Sequence, residues 1–237
     1  MESQTDRFAI HAACREGKVN VVESLLNADR KLAYRKDDDG RLPIHWAASY
    51  NQLEIAQVLT QVKNFDPDAQ DDSGWTPLMI AASVKDAEPL VDLLLSRGAS
   101  VNEKNNNGQT ALHFVASKGY LDLARKLLEG SPPASARVRD KRGQYAIHRA
   151  AAVGSVPMVK LLLKHRSPLN ATDIAGQTAL HHAVAEGHGD TAVALLQAGA
   201  ETDKKDQDGH LALDLAPDKE VRKYIVQHAE AEGIELS

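Results

Sequence analysis

The stretch Gly108-Gln109-Thr110-Ala111-Leu112-His113 decides the fold, because its frame returns along almost the whole chain. A Gly followed five residues later by a His recurs at Gly40/His45, Gly143/His148 and Gly176/His181. Gly74 with Met79 and Gly209 with Asp214 keep the frame without the His, and Asp6 with His11 keeps it without the Gly. Anchors at positions 11, 45, 79, 113, 148, 181 and 214 give steps of 34, 34, 34, 35, 33 and 33 residues. A period of that length is one supersecondary unit that cannot bury its apolar face alone and is stabilised by its neighbours.

Each copy reads as a turn followed by two helices. The turns, such as Asp37-Asp38-Asp39-Gly40 and Asp173-Ile174-Ala175-Gly176, combine Asx side chains with a Gly tolerant of positive φ, which suits a tight hairpin. Thr76-Pro77 opens the first helix of the third copy with a capping hydroxyl and a Pro at the first helical position. Small residues such as Ala81-Ala82 allow close packing, and Gly17, Gly119, Gly154 and Gly187 stand where first helices end. Second helices show apolar spacing, as in Leu121, Ala124, Leu127 and Leu128. The expected architecture is all-α: one domain over 1–237, a solenoid of seven hairpin-helix-helix repeats near 3–36, 37–70, 71–104, 105–139, 140–172, 173–205 and 206–230. Its terminal repeats are expected to be polar caps. Gln61 to Asp68 and Gly130 to Pro133 depart from the frame and read as loop adjustments.

Composition narrows the class. The 237 residues carry 28 Lys and Arg against 33 Asp and Glu, a net charge of −5, so no global basic excess exists for holding a phosphate backbone. Aromatics are 4% of a chain that is 43% hydrophobic, so the core must be built mainly from Ala, Leu, Val and Ile. The single Cys14 cannot form an internal disulfide, and the opening residues lack the basic start and apolar core of a secretory signal; a reducing intracellular compartment is expected. No apolar run approaches the roughly 20 residues a membrane span needs. Neither nucleic acid nor membrane is an expected partner, and a monomer is expected.

The Thr-Pro-Leu-His motif of the ankyrin repeat stands here as Thr76-Pro77-Leu78-Met79, Thr110-Ala111-Leu112-His113 and Thr178-Ala179-Leu180-His181. The chain resembles the ankyrin family over roughly residues 3 to 230, with the copies in phase. Further segments are similar to the gankyrin-like branch of proteasome regulatory-particle assembly chaperones: Arg41 followed by His45-Trp46-Ala47, Asp72-Ser73-Gly74-Trp75-Thr76-Pro77, Ala116-Ser117-Lys118, His148-Arg149-Ala150-Ala151-Ala152 and Ala185-Glu186-Gly187-His188-Gly189-Asp190. That resemblance implies a cytoplasmic and nuclear protein that binds the C-terminal helical domain of one proteasomal AAA ATPase subunit, the third of the hexamer, through its concave face. The branch's basic contacts map to Arg41 and Lys118, with Asp39, Asp71 and Asp72 toward basic residues of the ATPase and Arg149 among the partner-binding residues. A Leu-x-Cys-x-Glu segment that serves retinoblastoma-type partners in the mammalian relative reads His182-Ala183-Val184-Ala185-Glu186 here, so that activity does not carry over.

No constellation of catalytic or metal-ligating residues competes with this reading. His11, His45, His113, His148 and His181 share one frame position and are expected to form a structural ladder, bonded to Thr110 and Thr178 where those hydroxyls are present and to backbone at His45 and His148. His181, His182 and His188 could be read as a metal cluster, but the frame already assigns His181 and no Cys lies nearby. Asp37-x-Asp39-Gly40 and Asp206-x-Asp208-Gly209 resemble part of a calcium loop, yet Arg35 and Lys204 occupy its first position, and Trp46 and Leu215 its twelfth. No Gly-rich phosphate loop or nucleophile elbow is present, so the sequence points to no enzyme and no cofactor.

Surface positions carry what remains. The residue after the turn Gly runs Arg7, Arg41, Trp75, Gln109, Gln144, Gln177, His210, and the residue ending the first helix runs Glu16, Tyr50, Val84, Lys118, Val153, Glu186. The frame lines both sets along one concave side, and nothing in the repeat dictates their identity. Trp75 and Tyr50, flanked by Arg41 and Lys118, have the composition of a binding hot spot, and Trp46 lies one place inside the helix. Charge alternates along the chain: net −6 over 35–103, +9 over 104–170 and −8 over 171–237. Such stripes select a partner of complementary sign. The competing expectation is a generic ankyrin adaptor, or an inhibitor of a kinase or transcription factor.

Overall fold

The computed structural model describes residues 8–236, which form two compact units, one through Asn106 and one from Asn107. Asp6 and Arg7 of the first copy lie outside the described residues. In the first unit the chain runs α1 (Ala9–Glu16), α2 (Val19–Ala28), a 3-10 turn at Arg30–Tyr34, α3 (Pro43–Ser49), α4 (Leu53–Thr60), α5 (Pro77–Ser83) and α6 (Glu88–Ser96). In the second it runs α7 (Ala111–Lys118), α8 (Leu121–Glu129), α9 (Ala146–Ala152), α10 (Val156–Lys164), α11 (Ala179–Ala185), α12 (Gly189–Gln197), a 3-10 turn at Ala212–Leu215 and α13 (Lys219–Ala231).

Each unit has two layers. In the first, α1 packs on α3 and α3 on α5, while α2 packs on α4 and α4 on α6. In the second, α7, α9, α11 and the last 3-10 turn form one row, and α8, α10, α12 and α13 the other. Short first helices pack closely because their contact faces are Ala: Ala47, Ala48, Ala81 and Ala82 in one unit and Ala116, Ala150, Ala151 and Ala183 in the other are fully buried. Larger side chains fill the space between rows, among them Ile55, Leu59, Leu90 and Leu94, and Leu123, Leu127, Met158 and Leu162. Each such Leu contributes roughly 1.5–3 kcal/mol by leaving water.

The chain turns where the sequence says it must. Thr76 Oγ1 accepts the Met79 N–H at 3.3 Å and Pro77 opens α5. Gly17 and Gly119 end α1 and α7 in the left-handed region, and Asn51 and Asp86 reach the same region at φ 52° and 57° after α3 and α5. The last copy differs from the two-helix expectation. Its first helix is only the 3-10 turn Ala212–Leu215, since Pro217 has no N–H to donate and disfavours helical backbone at Ala216. Residues 61–68 and 130–133 are irregular, as the broken frame implied.

Successive turns are stitched at their tips by backbone bonds. Asp72 N–H donates to Asp39 C=O and Asn106 N–H to Ser73 C=O, both at 3.0 Å. In the second unit Lys141 donates to Asn107 at 2.8 Å, and Ile174 to Arg142 and Gln207 to Ala175 at 2.9 Å. An isolated antiparallel bridge joins Lys205 and Leu211.

Candidate functional site

The frame histidines bond in two directions. Nδ1 accepts a backbone N–H from the start of its own helix, Leu42 for His45 at 3.1 Å, Thr110 for His113 at 3.1 Å, Tyr145 for His148 and Thr178 for His181 at 3.2 Å. The Thr110 and Thr178 hydroxyls lie 3.0 and 2.9 Å from the same nitrogens. Nε2 then donates into the next copy: His11 to Arg35 C=O at 2.9 Å, His45 to Ala69 C=O at 3.0 Å and Trp75 C=O at 3.1 Å, His113 to Gln144 C=O at 3.2 Å, His148 to Ala171 C=O at 3.0 Å. The structural ladder expected from the spacing is present, with backbone partners at His45 and His148. At the seventh anchor Asp214 Oδ2 accepts the Leu211 N–H at 3.0 Å, which supplies the Nδ1 half of the role.

A second ladder, in the turns, escaped the sequence reading. Asp37, Asp71, Asp140, Asp173 and Asp206 each stand eight residues before an anchor, and each turns Oδ1 to the N–H groups two and four residues ahead. Their Oδ2 atoms reach outward. Asp71 Oδ2 accepts from Arg41 Nε at 3.2 Å and Asp173 Oδ2 from Gln144 Nε2 at 3.1 Å, so the residue after one turn Gly clamps the Asp of the next turn. The expectation that nothing in the repeat dictates the residue after the turn Gly is corrected at Arg41 and Gln144, where a hydrogen-bond donor holds the next turn while the charge differs. The recurrence of Asp eight places before five of the seven anchors was the available signal.

In the first unit this arrangement builds a small aromatic and charged surface. Trp46 Nε1 donates to Asp37 Oδ2 at 2.7 Å, which stands the indole on edge beside the turn. The Arg41 guanidinium lies over that ring, 5.7 Å from its centroid, and the Tyr50 ring stacks with it at 6.2 Å between centroids. Tyr50 is half exposed, and the Arg41 side chain keeps 30% of its surface while Asp71 beneath it keeps 3%. Burial works to raise the Asp37 carboxyl, but the hydrogen bonds from Trp46, Arg41 and Asp39 together outweigh it and hold the pKa below its ordinary value. A cavity of about 260 Å³ opens beside Trp46, lined by Asp37, Asp38 and Asp39 together with Phe8, His11 and Arg15. His11 Nδ1 has no hydrogen-bond partner among the described residues. Asp39 and Asp72 are exposed at their turn tips and Trp75 is half-buried. Asp71 is placed differently from the sequence expectation, its carboxylate being enclosed by its own turn and Arg41.

The second unit repeats the pattern with other side chains. Arg149 occupies the frame position of Trp46 and bonds Asp140 Oδ2 at 3.0 Å, keeping 24% of its surface. His182 occupies it in the next copy and lies 3.0 Å from Asp173 Oδ2. Lys118 is exposed at the end of α7. Ala183 and Val184 are buried in α11, inside the stretch that replaces the Leu-x-Cys-x-Glu segment. His181, His182 and His188 are each engaged elsewhere, with His210 C=O, Asp173 and Ala152 C=O respectively. Asp206, Asp208 and His210 bring ligand-type atoms within 4.8 Å of one another, but Asp206 Oδ1 already accepts two backbone N–H groups. Among the described residues no helix is long and apolar enough to cross a membrane.

Known proteins share this architecture. The family described as ankyrin repeats in three copies matches residues 1–71, 60–136 and 113–206. The probable 26S proteasome regulatory subunit p28 of Saccharomyces cerevisiae is 39% identical over 228 residues, 93% of this chain and 98% of that protein. An ankyrin repeat-containing protein of Schizosaccharomyces pombe is 37% identical over 96% of this chain and 97% of its own length. Among solved structures, the human ASB11 ankyrin repeat domain superposes with a TM-score of 0.79 at 20% identity, covering 92% of this chain and 96% of that one, a likeness of fold. Repeat frame, histidine ladder and full-length similarity agree: the chain belongs to the ankyrin-repeat family, and within it to the gankyrin-like relatives of the yeast 26S proteasome regulatory subunit.

Proposed function

We propose that this protein is a non-enzymatic assembly chaperone of the proteasome regulatory particle, acting in cytoplasm and nucleus by binding the C-terminal helical domain of one base ATPase subunit. The observation that carries the reading is the Arg41–Trp46–Tyr50 group, an exposed Tyr and a cation that both contact an indole held in place by the turn Asp. Pre-ordered aromatic and Arg side chains are the anchors that dominate protein interfaces, because little rotamer entropy remains to be lost on binding. The cavity beside Trp46, lined by Asp37 to Asp39, suits a basic side chain of the partner, and Arg41, Lys118 and Arg149 suit carboxylates. The full-length similarity to a proteasome regulatory subunit names the assembly in which such a partner is sought.

The test uses the frame itself. Gln144 and Gln177 show that Gln at the Arg41 position can still clamp the next turn's Asp, so Arg41→Gln removes charge and keeps that bond. Affinity purification of the wild-type chain is expected to recover proteasome base ATPases, and Arg41→Gln combined with Lys118→Glu is expected to lose them with an unchanged circular dichroism spectrum. Recovery dominated by a kinase or transcription factor would instead favour the adaptor reading.

A further inference from the structure

We propose that the outer faces of α8 and α10 form a second docking surface, separate from the turn side, which holds a short acidic segment of a partner polypeptide. Residues 107–170 contain eleven Lys and Arg against three Asp and Glu. Of those three carboxylates, Asp140 is buried in its turn under Arg149, Glu129 is shared by Lys164 at 3.8 Å and His165 at 4.0 Å, and Asp122 is exposed in the first turn of α8. Positive charge in this segment is thus largely uncompensated.

The repeat frame gathers part of it on one face. Glu129 and Lys164 each stand sixteen residues after their anchors, His113 and His148, and their contact shows that equal frame positions of α8 and α10 lie side by side. Arg125 and Lys160 each stand twelve residues after those anchors, one helical turn nearer the N-termini of the same helices. They are exposed neighbours on helices whose axes lie about 8–10 Å apart. Among the described residues neither meets a carboxylate at ion-pair distance. Arg137 Nη1 donates to Arg166 C=O at 3.2 Å, which brings two more exposed guanidinium side chains together in the neighbouring loops. Like charges on adjacent helices repel, so this face gains by meeting an anion.

The neighbouring repeat sets the size of the occupant. On α12 the matching position is the buried Val193, with Asp190 in the first turn, and residues 171–237 carry 5 basic against 13 acidic side chains. A long polyanion would run onto like charge there. Neither α8 nor α10 carries an aromatic side chain on which bases could stack. A segment of a few Asp or Glu residues fits the patch, whereas a nucleic-acid strand does not.

A fluorescein-labelled Glu-rich peptide, titrated by anisotropy at low ionic strength, tests this. Saturable binding is expected, with amide chemical-shift changes centred on Arg125, Lys160, Lys164 and Arg166, and with loss of binding at high salt. Arg125→Glu/Lys160→Glu should weaken it by about tenfold or more, while the charge-matched Lys31→Glu/Lys85→Glu should not. No binding, equal binding by both double variants, shifts confined to the turn side, or tighter binding of a single-stranded oligonucleotide would each overturn the proposal. Copurification with proteasome ATPases is read separately and does not depend on the outcome.

Discussion

At the scale of single residues, one imidazole does two jobs and so must hold one protonation state. Nδ1 accepts a backbone N–H while Nε2–H donates to the next copy, an arrangement open only to the neutral ring. Burial pushes His11, His45 and His181 below their ordinary value, and burial together with the neighbouring His182 pushes His148 to about 4. A folded pKa below the unfolded value of about 6.5 means that the native state binds fewer protons. The stability contributed is fully present above that value and is lost as pH falls through the folded pKa. For His148 the loss between pH 6.5 and about 4 is expected to approach about 1.4 kcal/mol per pH unit. Urea midpoints at several pH values check this, and the slope should flatten in His148→Phe. That variant leaves the Tyr145 N–H and the Ala171 carbonyl unpaired, so it should also cost about 2–4 kcal/mol at neutral pH. The ladder was legible because His recurs at one frame position beside Thr110 and Thr178. The Oδ2 clamps on Asp71 and Asp173 were not, since they join residues about 30 apart whose identities vary from copy to copy.

At the scale of the element, the turn is the most demanding part of each copy. Gly143 sits at φ 77°, and a Cβ there would come within 2.9 Å of the Ile174 amide nitrogen in the next turn. Gly143→Ala therefore combines left-handed strain with a clash against backbone and should destabilise by roughly 1–3 kcal/mol, measured by thermal unfolding. In α1 the Cys14 thiol is buried and pushed up to about 12 by that burial. It should resist a thiol reagent in the native state, so its labelling rate reports opening of the α1/α2 pair. The helix pairs were readable from apolar spacing. The 3-10 turns at Arg30–Tyr34 and Ala212–Leu215 were not, because spacing over four or five residues does not separate a tight turn from the first turn of a helix.

At the scale of the molecule, the repeat frame fixes where side chains go and leaves open what they meet. Arg41 and Gln144 make the same intramolecular bond while presenting different charge outward. Function is therefore written in the difference between copies, which neither periodicity nor fold similarity can rank. The proposed function requires that Arg41, Trp46 and Tyr50 of the first unit, and Lys118 of the second, contact a proteasomal ATPase. Calorimetric titration of the chain with the isolated C-terminal domain of each base ATPase subunit measures this most directly. One subunit should bind, and Arg41→Gln/Lys118→Glu should weaken that binding at least about a hundredfold, the scale of losing two anchors. Binding to none of the subunits, or equal affinity of the wild-type and doubly substituted chains for the same one, would contradict it.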